Sequence, residues 1–94
     1  MDKPQAKFKP GDTVRIKDLP ESELRKQSHG WNEDMNNYIG KNLTIATAHY
    51  AINTKPEDNG RDEYVWIYTI RENNWTYEEY VFTPHINNNQ LIWI

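Results

Sequence analysis

The chain has 94 residues, enough for one small domain with a single core. It has no cysteine, which excludes disulfides and thiolate metal sites, and its formal charge is −3. No apolar run approaches the ~20 residues of a membrane span, and the polar start Met1-Asp2-Lys3-Pro4-Gln5 lacks the apolar stretch of a secretory signal. A cytoplasmic protein without membrane contact is expected.

Residues 1–17 hold Lys3, Lys7, Lys9, Arg15 and Lys17 against Asp2 and Asp12, a balance of +3 that leaves −6 for residues 18–94. That balance argues against wholesale nucleic-acid binding, which needs a basic face. The apolar fraction of 36% is low, but four Trp, six Tyr and two Phe carry much of it. A few rings fill a small core, since each buries ~150–250 Å².

Residues 1–7 read as a flexible lead-in. Pro10-Gly11 suits the centre of a type II turn, because Pro presets φ and Gly accepts φ > 0. Val14 and Ile16 then alternate with Thr13, Arg15 and Lys17, a strand with one wet face, and Phe8 is placed to plug the end of the core. Residues 21–28 are charged or polar apart from Leu24 and predict a loop holding a short helical turn begun by Pro20 or Ser22. In residues 29–41, Asn32 is placed to cap a second short helix. Glu33 and Asp34 suit its first turn, Met35 and Tyr38 share one side, and Gly40 marks a positive-φ stop.

A strand follows from Leu43 to Tyr50, with Leu43, Ile45 and Thr47 expected on one face. Residues 53–62 read as a surface loop. Residues 63–71 are β-branched and aromatic on both faces, which predicts a strand covered on both sides. Asn73-Asn74 signals a turn, Trp75-Thr76-Tyr77 a returning strand, Glu78-Glu79-Tyr80 a 3₁₀ turn, and Val81-Phe82-Thr83 a short strand. Pro84 ends it, Asn87-Asn88-Asn89 is another turn, and Leu91-Ile92-Trp93-Ile94 is apolar enough to form an extra strand, within the chain or across a homodimer. Together these elements predict a mainly β single domain, a small five-stranded barrel with a C-terminal extension over 84–94.

The pattern Phe8-x-x-Gly11-Asp12-x-Val14-x-Ile16, then Gly30-Trp31-x-x-x-Met35-x-x-Tyr38-x-Gly40-Lys41-x-x-Thr44-Ile45, then Trp75-x-Tyr77-Glu78-Glu79-Tyr80-Val81, resembles the small SH3-like barrels of phage and bacterial proteins. More distantly it is similar to the SH3-like repeats of the mind bomb and HERC-type ubiquitin ligases. The resemblance covers roughly residues 8–83. It implies a five-stranded barrel with residues 29–41 folded over one end and a 3₁₀ turn before the last barrel strand. Eukaryotic relatives use such modules to hold peptide segments. The 53–62 loop and the tail after Thr83 depart from the pattern.

No catalytic or metal constellation stands out, so no enzyme activity and no cofactor is expected. His29, His49 and His85 are far apart in sequence, Ser22 and Ser28 are the only serines, and Gly30, Gly40 and Gly60 form no phosphate loop. What needs a use is the aromatic surplus. Trp31, Trp75, Tyr77 and Tyr80, flanked by Glu33, Asp34, Glu78 and Glu79, are the candidate partner-binding residues, since exposed rings beside carboxylates suit a basic or Arg-containing protein. The expected function is a protein-binding module of phage or bacterial type that occupies a surface of its partner; inhibition of a host or defence enzyme is one concrete form. One alternative is a nucleic-acid-binding barrel that uses Lys7, Lys9, Arg15 and Lys17. A second is a small-ligand binder with its pocket under the 29–41 loop.

Overall fold

The computed structural model describes residues 3–55, 60 and 62–84. His85, the Asn87-Asn88-Asn89 turn, and the tail expected as an extra strand or homodimer contact lie outside the described residues. The elements are β1 (Thr13–Ile16), α1 (Glu21–Leu24), α2 (Glu33–Asn36), β2 (Leu43–Ile52), β3 (Tyr64–Ile70), β4 (Thr76–Glu78), a 3₁₀ turn (Glu79–Val81) and β5 (Phe82–Pro84). No helix among the described residues is long and apolar enough to cross a membrane.

The five strands pair antiparallel in the order β4-β3-β2-β1-β5. The domain is therefore mainly β, as its composition suggests, and the hydrogen-bonded ladder is open at β4 and β5. These two edge strands are nevertheless separated by one 3₁₀ turn. A flat five-stranded sheet would hold its edges ~19 Å apart, while three 3₁₀ residues rise only ~6 Å. The sheet must curl, and the core records it: Phe82 of β5 lies 5.3 Å from Tyr77 of β4 and 6.2 Å from Tyr68 of β3, centroid to centroid.

Local chemistry sets the elements. The turn before β1 closes with the Asp12 N–H donating to the Lys9 carbonyl at 3.0 Å, and Gly11 sits at φ 94°. Val14 and Ile16 then point into the core while Thr13 and Arg15 face water. Asn32 caps α2, its Oδ1 accepting from the Met35 N–H at 3.2 Å. Leu24 and Met35 anchor the two short helices to the core, joined there by Phe8, Leu43, Ile45, Ile70 and Val81.

Two expectations fail for identifiable reasons. Thr47 does not follow Leu43 and Ile45 inward. An irregularity between Ile45 and Thr47 puts Thr47 opposite Thr69 on the outer face, where their hydroxyls meet at 2.6 Å, and Ala48 packs on the core instead. Nor is β3 covered along its whole length. Ile67, Tyr68 and Ile70 are buried, but β4 pairs only with residues 67–69, and Tyr64 is 46% exposed.

Candidate functional site

The expected surface divides between interior and exterior. Trp31 is buried: its ring meets Tyr77 edge-on at 5.9 Å and its Nε1–H donates to Asn36 Oδ1 at 2.8 Å. On β4, alternation sends Tyr77 into the core and Glu78 to the opposite face. Glu78 is buried there under Gln27 and Ser28, its carboxylate accepting the Ser28 N–H at 2.8 Å. Tyr77 is core, while Trp31 and Glu78, though buried, each still line a cleft wall. The surplus of rings concealed this, because the core takes up more aromatic volume than a chain of this length suggests.

Trp75, Glu33 and Asp34 are exposed, and the Trp75 Nε1–H donates to Asp34 Oδ2 at 2.8 Å. Residues 29–35 and 74–76 therefore do lie together. Between them is a cleft of about 450 Å³ lined by residues 29–32, Met35 and residues 74–76, with Glu33 and Asp34 outside its lining. Glu79 and Tyr80 lie elsewhere. Glu79 accepts the Tyr68 hydroxyl and the Lys7 N–H on one carboxylate oxygen, at 2.5 and 3.0 Å, and the Tyr80 hydroxyl donates to the Glu23 carbonyl.

Glu79 and Tyr80 border a second cleft, of about 300 Å³, that sequence reasoning missed. The β2–β3 hairpin runs past the core. Cross-strand pairs share a face, so the face that carries Ala48 and Tyr68 inside goes on to carry Tyr50 opposite Trp66, then Ile52 opposite Tyr64. The rings pack along it: Tyr50 lies 5.3 Å from Trp66, tilted against it, and 5.8 Å from Tyr64, stacked on it. Ile52 is 52% exposed, the most exposed large apolar side chain among the described residues. Beside this face, residues 64–66 form an edge that no further strand covers among the described residues. The signal lay in the rings at Tyr64 and Trp66, two residues apart, opposite Tyr50 and next to a polar loop.

The described N-terminal residues sit on this groove. Lys3 Nζ lies 5.3 Å from the Trp66 ring centroid, and the Trp66 Nε1–H donates to the Pro4 carbonyl at 2.8 Å. Lys7, Asp62, Glu78 and Glu79 are the charged residues that line it. Burial is the main cause that raises the Tyr68 phenol beneath, followed by its hydrogen bond to Glu79 and that carboxylate's charge.

The other expected chemistry is dispersed. No group of three His, Cys, Asp or Glu that could hold a metal occurs among the described residues. Ser28 Oγ lies 2.9 Å from His29 Nδ1, but Ser28 is fully buried and its oxygen also accepts the Thr54 N–H at 3.0 Å, a contact that fastens the loop to the end of β2. His29 has φ 73°, uncommon for a residue with a Cβ, and its N–H is held by Thr54 Oγ1 at 3.0 Å. Lys9, Arg15 and Lys17 are exposed, and Arg15 Nε donates to Asn42 Oδ1 at 2.6 Å. The rings lining the cleft beside Lys17 are Phe8 and Phe82, both buried. No protein-family model, curated protein or solved structure matches the chain.

Proposed function

We propose that the chain is a non-enzymatic protein-binding module, a small SH3-like barrel that occupies a surface of a partner protein through the groove of Tyr50, Tyr64 and Trp66. One observation carries this reading: Tyr64 and Ile52 are 46% and 52% exposed, side by side, on a face where Tyr50 already packs against both Trp66 and Tyr64. Rigid rings with one open side, next to an uncovered strand edge, are the usual make-up of a recognition surface. Asp62 and Glu79 beside the rings favour a basic partner. Inhibition of a host or defence enzyme in a phage or bacterial setting is the concrete form this reading takes.

The test is capture of a stoichiometric partner on the immobilised chain, followed by affinity measurements on variants. Tyr64→Ser should weaken the complex at least about 30-fold, the scale of a central aromatic anchor, with the thermal midpoint nearly unchanged. Trp75→Ala probes the other cleft. A partner that ignores Tyr64→Ser and is lost on Trp75→Ala would move the binding surface to the Trp75–Asp34 face and refute the groove.

A further inference from the structure

Residues 3–7 are a segment of basic, proline-bearing chain laid on the half-buried Trp66 ring. The contacts that hold them are of a kind any similar peptide makes. Lys3 offers an ammonium to the Trp66 ring at 5.3 Å, a cation–π contact. Pro4 offers a main-chain carbonyl to the indole N–H at 2.8 Å. Lys7 offers a main-chain N–H to the Glu79 carboxylate at 3.0 Å. Of the polar contacts, only the ammonium belongs to a side chain of the segment; the other two use its backbone.

The segment is also suited to being a ligand rather than part of the core. Lys3, Pro4, Gln5 and Lys7 are all exposed, and Ala6 is the one residue of the segment that packs on the core, so little apolar area holds it down. Pro4 fixes its own φ and steers Lys3 to extended backbone, so little entropy is lost on docking. The surroundings are complementary in charge: Asp62 and Glu79 line the cleft, and residues 18–94 carry −6.

We infer that the groove takes an extended Lys-Pro segment of a partner protein, and that the chain's own Lys3-Pro4 occupies that place until the partner displaces it. The inference rests on the groove being the binding surface and adds what it binds. A tethered occupant acts at roughly millimolar effective concentration, so it fills the groove with weak contacts and sets a threshold that a partner must exceed. Trp66 is then a positioning ring for both occupants, and Tyr64 the anchor left open for the longer one.

The experiment uses the full chain, Lys3→Ser, and a capped synthetic peptide Ala-Lys-Pro-Gln-Ala-Lys. The readout is the Trp66 indole N–H resonance, assigned with Trp66→Phe. Lys3→Ser should move that resonance away from its wild-type position. The peptide should restore it, binding at least about fivefold tighter than to the wild-type chain, where it competes with the tether. A peptide with both lysines changed to glutamate should leave the signal where it is. No movement of the Trp66 signal at millimolar peptide in either protein, or equal binding of the glutamate peptide, overturns the inference. If the peptide is silent while Tyr64→Ser still releases a captured partner, the groove survives and the Lys-Pro chemistry fails. If the peptide binds at Trp66 but Tyr64→Ser releases no partner, the functional reading fails instead.

Discussion

Tyr68 and Tyr77 face each other across β3 and β4, and both side chains are fully buried. Burial pushes the Tyr77 phenol up to about 12 from an ordinary value of 10.0. Tyr38 and the Asp34 carboxylate add to the rise, and the Asn73 amide, which donates to the phenol oxygen at 3.1 Å, opposes it. Tyr68 is raised too, by burial first and then by Glu79. A phenol raised on folding contributes stability that is fully present below the unfolded value and is lost as pH climbs through the folded one. The window for Tyr77 therefore runs from 10.0 to about 12. In a spectrophotometric titration near 295 nm, Tyr68 and Tyr77 should ionise late, and the urea midpoint should fall steadily once the pH passes about 10. If Tyr68→Phe and Tyr77→Phe each remove a step near the ordinary phenol value of 10.0, neither phenol is desolvated as described.

The short α2 depends on its cap. It has only four residues, too few to persist by propensity, so the Asn32 side chain on the Met35 N–H and the buried Met35 side chain define it. Asn32→Ala should cost about 1 kcal/mol, a fall of roughly 4–8 °C in midpoint for a domain of this size. An unchanged midpoint in a thermal melt would show that packing alone places the helix. This cap was legible in the sequence, as were the Pro10-Gly11 turn, the β1 alternation and the 3₁₀ turn, found one residue later than expected at Glu79–Val81. Each is a local pattern with a local cause. The irregularity at Ala46 was not legible. It arises because one long strand must pair with β1 at Leu43 and Thr44 and with β3 from Ile45 onward, which no short window encodes. The candidate site was half legible for the same reason: Trp75 and Asp34 meet as neighbouring segments suggested, but the groove exists only because β4 stops short and leaves residues 64–66 at an edge.

Across the whole molecule, charge decides which partners approach. The N-terminal residues 1–17 carry +3 and the remainder −6, yet Lys3 and Lys7 sit at the groove among Asp62 and Glu79, so the basic segment masks an acidic site rather than forming a basic face. On the proposed reading, displacing that segment would expose the carboxylates and favour encounter with a basic partner at long range. Long-range attraction acts on association and is screened by salt, whereas stacked rings act on dissociation. Raising sodium chloride from about 0.05 to 0.5 M should slow association with the captured partner about tenfold while leaving the off-rate within about twofold. Association that is insensitive to salt would mean that the acidic groups face water in the complex. Strong heparin retention that falls steeply with salt would instead assign binding to Lys9, Arg15 and Lys17 and to nucleic acid. Salt weakens both interactions, so it is the charge of the ligand that responds, a basic protein or polyanionic heparin, that separates the acidic groove from the exposed Lys9, Arg15 and Lys17.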